Sequence, residues 1–170
     1  MAQNRLYIKE LPDGNPIPLV AQAQSQYQPT WSPDGTKIAY VTWSDVTGGA
    51  LWYVNADGSA PVKLTNVPGQ YQRPTWSPDG QCIAVVQGKP EFGDRDSSGL
   101  GALQYISLNH ASTVTVVDSI PLRNQLSFGQ NGQRISYRAS GQRARYKTRD
   151  LLVSTKLDGT DRHIIANGIS

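Results

Sequence analysis

The residues of this chain that could do chemistry are few and far apart. His110 and His163 are its only histidines, and Cys82 is its only cysteine. A metal site needs ligands that converge, usually announced by spacings such as H-x-H or H-E-x-x-H, and neither spacing occurs. Both histidines therefore read as loop or surface residues. A serine nucleophile would sit in G-x-S-x-G at a strand-to-helix elbow, a pattern the chain lacks, and Ser97-Ser98-Gly99 reads as loop. Gly99-Leu100-Gly101 has neither the third glycine nor the following helix of a phosphate-binding loop. The sequence thus predicts no catalytic residue, no metal ligand and no cofactor within this chain.

Three other sets of residues invite a functional reading. Asp34 and Asp79 stand in Asp-Gly turns, but each turn offers one carboxylate where calcium needs several oxygens in a short span, so a structural role is expected. Trp31, Trp43, Trp52 and Trp76 could form a stacking platform. Their recurrence at matching places favours packing instead, because a ligand site would need only one copy. Arg143, Arg145, Lys147 and Arg149 surround Tyr146 and could meet an acidic surface, an anionic substrate or a nucleic acid. The bland alternative is a solvated hairpin whose charges protect its edges. A formal net charge of +3 on 170 residues is too small to press a nucleic-acid partner.

The elements that must carry these residues come from a repeat. "QYQPTWSPDGTKIAYV" begins at Gln26 and "QYQRPTWSPDGQCIAVV" at Gln70. Aligning Trp31 with Trp76 gives 76 − 31 = 45 residues, within the ~40–50 residues of a four-stranded propeller blade. A weaker copy, "FGQNGQRISY", sets Phe128 over the tryptophan and Asn131-Gly132 over Asp34-Gly35. "LWYVNADGSAPVKLT" from Leu51 is matched by "LVSTKLDGTDRHIIA" from Leu152, and "LYIKELPDGNPIPL" from Leu6 looks like that same half alone. Within a unit the periodicity is two: Ile38, Tyr40 and Thr42 share one face of a strand, and Ala39, Val41 and Trp43 the other. Both faces are largely apolar, as in a sheet packed between two neighbours.

Turn chemistry fixes the joints. Pro33-Asp34-Gly35 and Pro78-Asp79-Gly80 combine a preset φ, a side-chain acceptor for nearby amides and a residue that accepts positive φ. Asp13-Gly14, Asp57-Gly58 and Asp158-Gly159 mark a second tight hairpin. The first full unit reads as strand a ending at Trp31, b over Lys37 to Trp43, c over Leu51 to Asn55 and d over Pro61 to Thr65. The fold predicted is all-β, a partial β-propeller of about three and a half four-stranded antiparallel blades: a half blade over 1–22, then blades over 23–66, 67–117 and 118–170.

The pattern P-T-W-S-P-D-G-x-x-I-A followed by L-W-Y-V-N-A-D-G-S resembles the TolB-type, Trp-Asp-repeat-like β-propellers. More narrowly, the stretch from Ile38 to Gly80 resembles the propeller part of secreted bacterial proteins joined to an amidohydrolase metal-dependent barrel. Peptidases of the prolyl oligopeptidase type share the pattern. The resemblance implies a non-catalytic segment that scaffolds or screens access to a hydrolase domain, in the periplasm or outside the cell. It equally admits a protein-binding propeller. The paired histidines of an amidohydrolase centre are absent from this chain. No signal peptide is visible in Met1 to Glu10, and no apolar run reaches the ~18 residues of a membrane helix.

Alternation of chain direction puts the three b–c loops, from Ser44, Gly88 and Ala139, at one end of the blades. Gln26, Tyr27, Gln70 and Tyr71 join them there, and with Arg143, Arg145, Tyr146, Lys147 and Arg149 they form the candidate binding face. Trp31, Asp34, Gly35, Trp76, Asp79 and Gly80 form the structural repeat. An open array leaves blade flanks bare, and Leu151, Leu152, Val153, Ile164 and Ile165 offer no polar cap. The expected partners are therefore missing blades and a catalytic domain, a separate protein, or a second copy of the chain.

Overall fold

The computed structural model describes residues 4–21, 23–88, 99–109, 112–121, 124–129, 131–140 and 150–167. Among them there are strands and turns and no helix, hence no helix able to cross a membrane. The first pair, β1 (Tyr7–Ile8) and β2 (Ile17–Pro18), forms a two-stranded antiparallel sheet. The next sheet holds β3 (Ser25–Trp31), β4 (Lys37–Trp43), β5 (Ala50–Asn55) and β6 (Val62–Lys63) in sequence order. A second four-stranded sheet holds β7 (Gln70–Trp76), β8 (Cys82–Gly88), β9 (Leu100–Ser107) and β10 (Thr113–Pro121). The third holds β11 (Ser127–Phe128), β12 (Arg134–Ser140), β13 (Asp150–Lys156) and β14 (His163–Asn167). The chain is thus half a blade followed by three blades, as the repeat predicts. β10 carries on across the expected join at residue 117, held on β9 to Pro121 through two register shifts.

The a–b turn is the same object three times. Gly35, Gly80 and Gly132 have φ of 70°, 68° and 67°, and each donates its N–H to the carbonyl three residues back, at 2.9 Å. Asp34 accepts from the Thr36 N–H at 3.1 Å and the Ser32 hydroxyl at 2.5 Å; Asp79 accepts from Gln81 N–H and Ser77 hydroxyl in the same way. In the third turn Asn131 accepts from the Gln133 N–H, so an amide oxygen substitutes for the carboxylate. Of the three Asp-Gly turns expected between strands c and d, one differs. Gly58 and Gly159 have φ near 83° and lie against the carbonyls of Leu19 and Val116 in the preceding unit. Asp13-Gly14 does not repeat this turn: Gly14 donates to the Glu10 carbonyl in a wider loop, without positive φ.

Strands b of the first two blades, β4 and β8, each serve two cores. Ile38 and Tyr40 face the half blade, with Leu19 and Val20, while Ala39 and Val41 face the second blade, with Tyr71, Trp76, Ile83 and Val85. Ala84 and Val86 continue the pattern toward Ile135, Tyr137 and Val153. Each large aliphatic side chain buried in these layers contributes about 1.5–3 kcal/mol.

The flank of the last blade corrects the expectation of a bare apolar surface. Val153 is fully buried against the second blade and Leu151 packs there too, while Ile164 and Ile165 remain exposed. By strand register, the outward positions held by Ala39, Val41, Leu51 and Tyr53 in the first blade are Ser136, Arg138, Leu152 and Ser154 here. Arg134 spans this face, donating from Nε to Ser154 Oγ at 2.9 Å and from Nη1 to Asp161 Oδ2 at 2.8 Å. Lys156 lies 3.9 Å from that carboxylate oxygen. This blade does carry a polar cover, built from strand residues and from Asp161 of the c–d turn.

Candidate interblade cleft

Strands a of the first and second blades, β3 and β7, converge at the end of the blades that carries the b–c loops. The location follows from a pair of bonds between Gly49, in the first b–c loop, and Gly69, in the link to the second blade: each donates its N–H to the other, at 3.1 and 3.2 Å. The a–b and c–d turns of the last blade share the opposite end, where Asn131, Gln133, Lys156 and Asp158 line one depression. Between β3 and β7 lies a cleft of about 310 Å³ that brings together Tyr27, Gln70 and Tyr71 with Gln28, Trp43 and Gln72. No lining side chain is charged. The cleft offers ring faces and carboxamides, which suit a neutral, hydrogen-bonding group.

Gln26 does not belong to it. Its side chain is 2% exposed and spent on the junction with the half blade: Oε1 accepts from Leu6 N–H at 3.0 Å and Nε2 donates to the Val20 carbonyl at 3.2 Å. At the next junction the equivalent of the Leu6 amide is Leu51 N–H, which donates to Thr65 Oγ1. Val20 stands where Thr65 would be and has no hydroxyl, so Gln26 supplies the acceptor.

The two Gln-Tyr-Gln stretches are in fact out of register by one residue. Gln26 pairs with Thr42 in the position where Tyr71 pairs with Gln87, so Tyr71 is the structural counterpart of Gln26 and Gln72 of Tyr27. A one-residue offset in a strand exchanges the two faces. Tyr71 accordingly turns into the core, 5% exposed, with its hydroxyl donating to the Val67 carbonyl at 2.7 Å. Burial pushes its phenol up, so it serves the cleft as a ring and not as an acid.

A shared bulge shapes the floor. Gln28 and Arg73, which are equivalent, both have positive φ, 52° and 58°, and both fall where the ladder with strand b skips. The Arg73 N–H donates to Gln28 Oε1 at 2.6 Å, tying the two inner strands together. The sequence places both Gln-Tyr-Gln stretches, Gln26 to Gln28 and Gln70 to Gln72, at this end, but it does not single out Gln28 or Gln72 as site residues and assigns Trp43 to packing. The signal available was the extra Arg73 in the second stretch, which shifts its register against the tryptophan.

Arg143, Arg145, Tyr146, Lys147 and Arg149 lie outside the described residues, as does His110. His163 lies 3.5 Å from Asp161. Among the described residues no three His, Cys, Asp or Glu side chains are grouped to hold a metal ion. Cys82 is buried, and burial pushes its thiol up.

No family model and no curated protein matches the chain. Solved structures do. A structure assigned as TolB of Agrobacterium tumefaciens matches with a TM-score of 0.67 at 19% identity, over 98% of this chain and 56% of that one. TolB of Acinetobacter baumannii gives 0.68 at 20%, over 96% and 38%. The acylaminoacyl peptidase of Pyrococcus horikoshii gives 0.67 at 16%, over 96% and 28%. The chain therefore spans little more than half of the first of these proteins and less of the others. At such identities the likeness concerns the fold, which is that of a TolB-type β-propeller.

Proposed function

We propose that this segment of a TolB-type β-propeller is a non-catalytic scaffold and access screen of a larger hydrolase, an amidohydrolase. The observation that carries the reading is how the side chains are used. Gln26 and Tyr71, which the sequence sets on the candidate binding face, hold blades together, as does Trp76 of the structural repeat. The cleft left at the b–c loop end is uncharged and lined by rings and carboxamides. Such a surface can sort neutral substrates by shape but holds no group to activate a nucleophile. The amidohydrolase partner rests on the resemblance of the stretch from Ile38 to Gly80. Likeness to an acylaminoacyl peptidase supports a second reading, the propeller of a serine peptidase. On either reading the protein works in the periplasm or outside the cell, as TolB-type proteins do.

The test is to express the whole reading frame with and without this segment. The amidohydrolase reading expects activity that is lost on chelation and regained with a divalent metal. It also expects that deleting the segment admits bulkier substrates. Labelling by a serine-directed fluorophosphonate would instead establish the peptidase reading. Hydrolysis by the isolated 170-residue chain would overturn both.

A further inference from the structure

We propose that the cleft between β3 and β7 is a binding site for a neutral pyranose saccharide. The inference rests on the reading of this cleft as an uncharged screening surface and names the class of molecule that the surface meets. Strand alternation builds its walls. Tyr27 pairs with Val41, and Trp43 lies two residues beyond Val41 on β4, so these three side chains share the face turned to the second blade. Tyr71 meets them from β7. Farther along the same gap Ala39, Trp76 and Ile83 pack together and close it. At the b–c loop end it stays open, with a volume of about 310 Å³, at the small end of the about 300–1,000 Å³ of ligand sites.

The polar ends of two of these rings are already spent. The Trp43 indole N–H donates to Asp45 Oδ1 at 2.8 Å, and the Tyr71 hydroxyl donates to the Val67 carbonyl at 2.7 Å. What these rings offer a ligand is their faces, whose negative quadrupole attracts polarised C–H groups. Polar groups stand around them. Among the described residues the Tyr27 hydroxyl has no hydrogen-bond partner. Gln28 Oε1 accepts from the Arg73 N–H at 2.6 Å, which fixes that carboxamide and leaves its Nε2 as a donor. A matching ligand has apolar faces and an edge of groups that both donate and accept. A pyranose with equatorial hydroxyls has that form, with C–H groups on its faces and hydroxyls around its rim. Val46 and Val67, 86% and 64% exposed, lie on the loop and the link that Gly49 and Gly69 tie together, and give this end an apolar margin for a second ring.

Charged and extended ligands fit less well. No lining side chain is charged, so an anionic sugar finds no cation in the cleft and meets the carboxylate of Asp45 beside Trp43. An extended peptide would add as a strand to the inner edge of β3 or β7. Both edges are interrupted by the bulges at Gln28 and Arg73, where φ is 52° and 58°.

The experiment titrates the 170-residue chain with cellobiose and with maltose, followed by NMR. Saturable shifts of the Trp43 indole N–H and the Gln28 side-chain amide are expected at millimolar sugar, with the indoles of Trp31, Trp52 and Trp76 unmoved. Trp43→Ala should weaken binding about tenfold by removing a ring face. Tyr27→Phe, which keeps the ring and loses the hydroxyl, should weaken it about threefold. Gln133→Ala, at the opposite end of the last blade, should change nothing, and digalacturonate should bind more weakly than either neutral sugar. The proposal is overturned by the absence of saturable shifts, by digalacturonate binding as well as cellobiose, or by a proline-rich peptide or adenosine moving the same signals at lower concentration. Should Trp43→Ala not fold, Tyr27→Phe and saturation transfer from the ring protons of the unmodified chain decide. No catalytic domain takes part in this titration. A failed titration therefore leaves the deletion experiment on the screening role standing, and failure of that role leaves the measured affinities intact.

Discussion

Trp31 and Trp76 open the same pentapeptide, Trp-Ser-Pro-Asp-Gly, ahead of the same turn, yet one is 51% exposed and the other 7%. Nothing within either copy accounts for the difference. Trp76 has the inner strand of the first blade beside it, with the Thr30 carbonyl as acceptor. Among the described residues, Trp31 has only the two outer strands of the half blade on its flank. The turn is a local property and the burial belongs to the neighbour, so one motif encodes a joint everywhere and a core residue only where a complete blade precedes it.

The largest test of this contrast is truncation of the two indoles. Trp76→Ala should cost about 3–5 kcal/mol, the usual loss for a buried aromatic, and Trp31→Ala no more than about 0.5 kcal/mol, as at an exposed site. Urea denaturation of both variants measures it, and equal losses would break the comparison. Adding β-carbons to the turns separates them next. Both Gly35→Ala and Gly58→Ala force a side chain into positive φ, costing about 1–2 kcal/mol. At Gly58 the new Cβ would also stand 2.3 Å from the Leu19 carbonyl, whereas at Gly35 nothing lies within 4 Å. Gly58→Ala should therefore lower the thermal midpoint more, and a larger drop for Gly35→Ala would show that the c–d turn does not pack on the preceding unit.

Gln26→Ala leaves the Leu6 N–H and Val20 carbonyl without partners and should cost about 1–3 kcal/mol. Gln72→Ala, at the rim of the cleft, should cost little. Restoration of most of the loss by Val20→Thr in the Gln26→Ala background would confirm that Gln26 substitutes for the missing hydroxyl. The smallest expected effect is electrostatic. The Ser32 hydroxyl, with the Thr36 amide and hydroxyl, lowers the Asp34 carboxyl from 3.8 to about 2, and the Ser77 hydroxyl lowers Asp79 likewise. Because the folded-state values lie below the ordinary one, each carboxylate stabilises its turn above pH about 4. That contribution is lost as the pH falls toward 2. Carboxyl titration by NMR should show both depressed midpoints. Asp34→Asn, which copies Asn131 of the third turn, should flatten that part of the acid limb.

Much of the blade was legible because its causes are local. The expected strand Lys37 to Trp43 coincides with β4, and its two-faced apolar pattern divides between two cores as alternation requires. The Asp-Gly and Asn-Gly turns were readable from Pro, the acceptor side chain and glycine. The candidate cleft was half legible: Tyr27, Gln70 and Tyr71 do meet there, while Gln26 left it and Gln28, Trp43 and Gln72 joined it. Repetition of the letters Gln-Tyr-Gln suggested a repeated role, but strands are read from their hydrogen-bond register, and Arg73 displaces the second copy by one residue.

By itself, then, the sequence determined the blade: four short strands per unit, their two apolar faces and the turns between them, since each depends on residues a few places apart. Only the tertiary structure decided what each face meets. Trp31 and Trp76 parted according to whether an inner strand lay alongside. Arg134 joined Ser154 and Asp161, 20 and 27 residues away, to cover the last flank. Gln26 turned from binding face to interblade bond because Val20, in the neighbouring unit, lacks the side-chain hydroxyl of Thr65. Burial and hydrogen-bond satisfaction are properties of pairs of surfaces, and a repeat written along one chain does not say which pairs are present.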